Sequence, residues 1–465
     1  MKKLRLSFLI LIAISVIGLG IVIKNGCGAV VPSAKTTTTT TKKTTTTAKT
    51  TTTTTTTTIS TTTTTTTTTT ITIPIKSIPI AGGGYHTIAL DTTGKVWTWG
   101  YNTYGQLGIG TPIDPNMSSY RGAPVLVSQE TGLTSATAIA AGGWHTLAIR
   151  SGDGTVWAWG DNSFGQLGTG TIDPSSVPLQ VTEFSNVAAI AAGAYHTIAL
   201  KNDGTLWAWG NNHYGQLGDG TTTDRYTPVQ VRNKNLTPFT GVVAISAGGY
   251  HNIALKSDGS LWTWGANSDG QLGTGTTVES HTPFHVTQEV VGQPPNLEVR
   301  PFTEEVIALA AGGYVDYERF TVAVKIDSTV WAWGYGLSGQ LGNAYDQYRY
   351  LPCQVVNEDF SPFTGAAAVA AGGSHAVALK NDGTVWTWGS NYGGQLGNGT
   401  ASFRNTPTPA SVADNTTIIA AGLSHTIVMK SGGTIWTCGS NEWGQLGIGD
   451  ADSQVHSTPT QISWP

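Results

Sequence analysis

Residues Ala141–Gly168 read AGGWHTLAIRSGDGTVWAWGDNSFGQLG. The closing Gly-Gln-Leu-Gly returns six more times, with its Gln at 106, 166, 216, 271, 340, 395 and 445. Successive copies are 60, 50, 55, 69, 55 and 50 residues apart. A recurrence in that range signals a propeller or a solenoid, in which each unit buries its apolar face on its neighbour.

One unit, Thr227 to Gly265, shows how the repeat reads in detail. Val229 and Val231 alternate with polar residues, as do Ile253 and Leu255, which is the period of half-buried strands. The unit thus reads as four short strands, A to D. Asp-Gly pairs at 153–154, 203–204 and 382–383 supply the positive φ that a tight C-to-D hairpin needs. The Trp-x-Trp of strand D sets two large rings on one face, toward a neighbouring blade. Seven strand-A segments begin near Pro124, Pro178, Pro228, Pro283, Pro352, Pro407 and Pro459. The first unit, Ile78 to Gly100, lacks a preceding strand A, and the last strand A, Thr458–Ile462, lacks B, C and D after it. The sequence therefore predicts an all-β, seven-bladed propeller of four-stranded antiparallel blades, closed by the C-terminal strand joining the first blade.

The motifs Ala-Gly-Gly-x-His-Thr, Asp-Gly-Thr-Val-Trp-x-Trp-Gly and Asn-x-x-Gly-Gln-Leu-Gly, all present in Ala141–Gly168, resemble the regulator-of-chromosome-condensation repeat. The resemblance spans about 390 residues, all of the chain after residue 74, and implies a seven-bladed propeller. Together with the N-terminal segment it points to a secreted, bacterial-type member of that family.

The N-terminal region carries a different signal. Lys2, Lys3 and Arg5 precede the uncharged apolar run Leu6–Ile23, long enough to span a bilayer with the remainder translocated. Residues 1–34 are read as a signal peptide or signal anchor, and 35–74 as a stalk that is almost entirely Thr. Such a tract has no apolar face with which to offset its ordering entropy, and its hydroxyls suit O-glycosylation. The propeller occupies 75–465. The expected location is extracellular, anchored or secreted, with the membrane touched only through the N-terminal segment and the chain a monomer.

Charged residues make up 11% of the chain and the formal net charge is -4. No basic run marks a nucleic-acid binder. The three cysteines, Cys27, Cys353 and Cys438, do not form a disulfide framework, and the last two read as small buried hydrophobes. The histidine column His86, His145, His196, His251, His375 and His425 places one ring per blade, too dispersed to converge on a metal ion. Gln and Asn columns read as partners for loop backbone. No nucleophile–base constellation, metalloprotease motif or phosphate loop is present, so no catalytic residue, metal or cofactor is assigned.

Topology supplies the candidate site. With A and C running opposite to B and D, the B-to-C turns and D-to-A loops share one face. That face would gather Tyr85, Trp144, Tyr195, Tyr250 and Tyr314 from the turns, and Tyr104, Phe164, Tyr214 and Trp443 from the loops. Blade five departs from its sisters there, with Gly313-Tyr-Val-Asp-Tyr-Glu-Arg-Phe-Thr321 replacing the histidine motif and adding Asp316, Tyr317 and Arg319. On the opposite face the insertion Gln288–Glu305 is a second candidate. Such a rim suits binding of an extracellular protein or glycan. A surface-anchored enzyme acting on polysaccharide and a nucleotide-exchange regulator are the competing readings.

Overall fold

The computed structural model describes residues 14–15, 80–113, 119–292, 296–302, 305–314, 318–412 and 415–464. Ile14–Ser15 form a two-residue strand paired in parallel with Leu309 and Ala310. Otherwise the N-terminal segment and the Thr tract lie outside the described residues. No described helix is long and apolar enough to cross a membrane.

Seven blades of four antiparallel strands succeed one another along the chain, the fifth sheet being extended to seven strands by Ile14–Ser15 and by the hairpin of Gln288–Val291 and Glu298–Pro301. The first blade runs Ile80–Gly82, His86–Leu90, Val96–Tyr101 and Tyr120–Leu126, and the seventh Thr416–Ala421, His425–Lys430, Ile435–Asn441 and Asp452–Gln461. Each sheet is ordered B-C-D-A from the channel outward. The B strands are buried and rich in small residues, as in Ala366–Ala371, because radial sheets leave least room at the axis. The A strands are largely solvated.

The structure corrects the closure expected from the sequence. The C-terminal strand pairs with strand D of its own repeat, Trp436 opposite Gln461 and Thr437 opposite Thr460, not with the first blade. Every strand A behaves this way, for example Trp97 opposite Leu126, since the Gly-Gln-Leu-Gly loop turns the chain straight back along strand D. Each blade is therefore one continuous segment, and the first unit was never short of a strand.

The ring closes through packing and hydrogen bonds instead. Leu423 N–H donates to Gly83 O (3.1 Å), and Gly449 N–H to Gly122 O (2.9 Å). Trp99 Nε1–H donates to Gln445 O (3.0 Å). Ile462, just past the final strand, is 3% exposed and shares a core cluster with Ile80, Ala89 and Trp99 of the first blade. Trp464 meets Trp97 edge-on, centroids 6.5 Å apart.

One staple repeats between blades. Thr146 Oγ1–H donates to Gln106 O (2.7 Å), and Trp159 Nε1–H donates to the same carbonyl (3.0 Å). Because the threonine proton is committed there, Thr146 Oγ1 accepts from His86 Nε2–H (3.0 Å). Nδ1 of His86 lies against Gly83, where a Cβ would come within 2.5 Å of it, and it has no partner among the described residues. The same joint links His145 to Thr197, His196 to Asn252, His251 to Thr321, His375 to Thr426 and, across the closure, His425 to Thr87. Only between blades five and six does it change: Phe320 stands at the histidine position and Ala376 at its partner's. Both are fully buried, so an apolar contact replaces the bond.

Both glycines of each Gly-Gln-Leu-Gly loop are required. Gly165 and Gly168 have φ of 79° and 70°. A Cβ on Gly168 would sit 2.7 Å from Trp209 Nε1. The Gln and Asn columns bind loop backbone as expected: Phe164 N–H donates to Gln166 Oε1 (2.9 Å) and Leu167 N–H to Asn162 Oδ1 (2.9 Å).

The insertion before blade five forms a hairpin, Gln288–Val291 with Glu298–Pro301, that joins the outer strand of that blade, Arg349–Gln354, through Val290 and Cys353. Lys325 closes strand C there. Its sister Lys256 stacks on Phe239 and Trp262. Lys325 stacks on Phe302 and Trp331, but the hairpin covers it completely, and buried Glu289 supplies the counter-charge. Cys353 and Cys438 are buried and free, and burial pushes their thiols up to about 11 and about 12.

Candidate functional site: an aromatic rim

The B-to-C turns stand on one face because each opens with glycine at the channel mouth. Gly83 N–H returns to His86 O (2.8 Å), which lifts Tyr85 above the rim while its neighbour His86 turns inward. Backbone bonds link successive turns, Gly84 N–H to Gly142 O (3.1 Å) and Gly143 N–H to Gly193 O (3.2 Å). The aromatic side chains are thus held on a rigid ring.

They meet one another around the mouth. Tyr104 and Trp144 lie 6.2 Å apart, Trp144 and Tyr195 5.1 Å, Phe164 and Tyr195 5.0 Å, Tyr195 and Tyr250 6.2 Å, and Tyr214 and Tyr250 5.2 Å. The belt continues past Tyr85 to Trp443 through Tyr101, whose ring is 6.3 Å from Tyr85 and 4.9 Å from Trp443. Tyr314 reaches across from blade five to Tyr85 (6.3 Å) and Trp144 (5.2 Å). Burial raises its phenol well above the usual range, and its Oη has no partner among the described residues. Most of these rings are half-buried, and Tyr214 is exposed. The inner tryptophans of strand D, in contrast, are almost all completely buried.

Blade five also brings charge to the rim. Arg319 is buried, its guanidinium 5.2 Å above Tyr250 and 5.9 Å above Tyr214. Its Nη1 donates to Ser268 Oγ (3.0 Å) and stands 3.8 Å from Asp269 Oδ2. Glu318 adopts φ of 71° and accepts from the hydroxyls of Ser338 and Ser374. Burial raises the carboxyls of both Asp269 and Glu318. Asp316 and Tyr317 lie outside the described residues. Beside Tyr214 a cavity of about 270 Å³ opens, lined by Ala266, Asn267, Ser268, Thr277, Val278 and Glu279.

Sequence reasoning missed Tyr101, Asp269 and Glu318. Tyr101 and its sisters Asp161, Asn211, Ala266, Tyr335, Ser390 and Ser440 spread over five residue types, so no column marks the position. The histidines lie beneath the rim, fully buried in the inter-blade joints. Among the described residues no group of three or more His, Cys, Asp or Glu could hold a metal ion.

A closed ring of seven radial four-stranded blades defines a β-propeller. The chain belongs to the RCC1-like domain family, whose model matches residues 56–317 and 231–465. Propellers of this family are typically binding or regulatory modules. It is 29% identical over 335 residues to the ultraviolet-B receptor UVR8 of Arabidopsis thaliana, 71% of this chain and 69% of that one. It is 28% identical to the mitochondrial RCC1 domain-containing protein RUG3 of the same plant, over 69% of this chain and 66% of RUG3. Against the human ubiquitin ligase HERC2 it is 28% identical but spans only 6% of that protein. Human WBSCR16 shares the fold with a TM-score of 0.64 and 23% identity, over 80% of this chain and 94% of its own. Prp20p of Saccharomyces cerevisiae does so with 0.59 and 24%, over 75% and 82%.

Proposed function

We propose that this chain is a protein-binding module that docks an extracellular partner on its aromatic rim, displayed at the cell surface by the apolar N-terminal run and the Thr-rich tract. The observation that carries the reading is the contrast between two sets of rings. Those between the blades are sealed, whereas the rim rings remain half-open while fixed by their neighbours. Pre-ordered rings bind with little side-chain entropy left to lose. Prp20p binds Gsp1p and histones and forms a complex with Kap60, which supports a chain of this kind serving as a protein dock.

The test is crosslinking capture of surface proteins by the full chain, compared with Tyr104→Ala/Trp144→Ala and with the control Phe360→Ala. Phe360 is exposed on a linker between strands A and B, on the other face. The rim pair is expected to lose capture at least tenfold with an unchanged melting temperature, and the control to retain it. Equal capture by all three, or retention of a neutral oligosaccharide alone, defeats the reading. Protease protection of a C-terminal tag in intact cells would defeat the surface display.

A further inference from the structure

We infer that the junction of blades seven and one is a receptor for a basic side chain, an arginine or lysine presented by the partner protein; this rests on the rim-docking reading. The molecule already contains the completed form of such a site. At the junction of blades three and four, Tyr214 comes from a D-to-A loop and Tyr250 from the next B-to-C turn. Between them and Asp269 sits the guanidinium of Arg319, 5.2 Å from one ring and 3.8 Å from the carboxylate.

The equivalent positions at the seven–one junction are Trp443, directly before its Gly-Gln-Leu-Gly like Tyr214, and Tyr85, directly before its histidine like Tyr250. Tyr101 and Tyr104 extend this group, with ring centroids 6.3 Å apart. Glu442 supplies the carboxylate. It is exposed, stands next to Trp443 in the chain, adds to burial in raising the Tyr85 phenol, and has no hydrogen bond or ion pair among the described residues. No described basic side chain stacks on these rings. The Asp269 position is Tyr104 here, and the carboxylate comes instead from Glu442, at the His213 position, so the junction offers aromatic faces and an anion by a different placement and without a cation.

Several electron-rich ring faces with an adjacent unpaired carboxylate attract a cation. Guanidinium gains most, because it stacks and donates hydrogen bonds together. A neutral sugar stacks on the rings and can donate a hydroxyl hydrogen bond to Glu442, but it brings no positive charge to offset that carboxylate.

The probe is the peptide Ac-Gly-Arg-Gly-Arg-Gly-NH2, titrated into the full chain by calorimetry at low salt. Its counterpart carries citrulline, the uncharged isostere, at both arginines. The arginine peptide should bind at least tenfold more tightly, and Glu442→Gln should remove most of that preference without moving the melting temperature. Trp443→Leu should weaken both peptides. Equal binding of the two peptides, an unchanged preference in Glu442→Gln, or preferential binding of chitotriose overturns the inference. If surface capture still fails in Tyr104→Ala/Trp144→Ala while the peptides bind equally, the rim remains a dock and only the basic-residue receptor falls. If neither responds, both readings fall.

Discussion

The buried histidines show how a polar side chain can be structural and still make the protein sensitive to its surroundings. Each is neutral, with Nε2–H donating to a threonine or asparagine of the next blade. Burial holds His86, His145, His251, His375 and His425 down to about 3, and His196 to about 4, from an ordinary 6.5. The folded values lie below the unfolded one, so the unfolded chain binds the additional protons. The stability these joints contribute is complete above pH 6.5 and is lost as pH falls toward 3. The slope over that window is about 1.4 kcal/mol per pH unit for each histidine. Chemical denaturation measured from pH 7 to pH 4 should show the midpoint falling steeply. A flat profile would mean that the histidines are not held neutral. A second polar side chain with a large effect is Glu289, which partners buried Lys325 and accepts from Arg300 Nε (2.7 Å). Replacing it leaves a lysine charge sealed under a hairpin. Glu289→Gln should cost roughly 3–5 kcal/mol in urea melts, and adding Lys325→Met should recover much of the loss.

Among the strands and loops, most of the architecture was legible because each element announces itself by repetition. Gly-Gln-Leu-Gly gave the blade count, and Asp-Gly gave the C-to-D hairpins. The aromatic residue before four of the six column histidines, and Tyr314 at the matching turn of blade five, gave one face of the ring. Pairing could not be read. Strand A carries the same alternation whether it joins the strand D before it or the sheet after it, so spacing alone put the last strand in the first blade, where the structure does not have it. The loop geometry decides it: with Gly105 and Gly108 both at positive φ, the chain leaves strand D and returns along it. At the candidate site the turn and loop rings were visible as columns. Tyr101 and Glu442 were not, since non-repeating residues leave no signal in a repeat. The last strand still matters for closure, because it delivers Ile462 to the joint between the seventh and first blades. Ile462→Ala should cost about 2–5 kcal/mol despite lying at the end of the chain, because the side chain fills that joint. Thermal unfolding checks this, and a melting point like that of the parent would show the joint to be closed without it.

Taken as a ring, the molecule has no blade assembled from two chain ends, so its cut point is arbitrary. A circular permutant that opens the linker between Gln230 and Val242 and joins the natural ends of the propeller should fold, since every sheet stays intact. Failure to fold, with exchange-competent amides throughout blade one, would mean that the present termini are specially required. The joints around the ring are not all alike. Six depend on an uncharged imidazole, while Phe320 and Ala376 join blades five and six with nothing to titrate. Acidification therefore loosens the circle everywhere but at one seam. The fifth and sixth blades, with the tyrosine that crosses the mouth still attached to them, would be the last neighbours to part, and an acid compartment would unwind the ring from its other side.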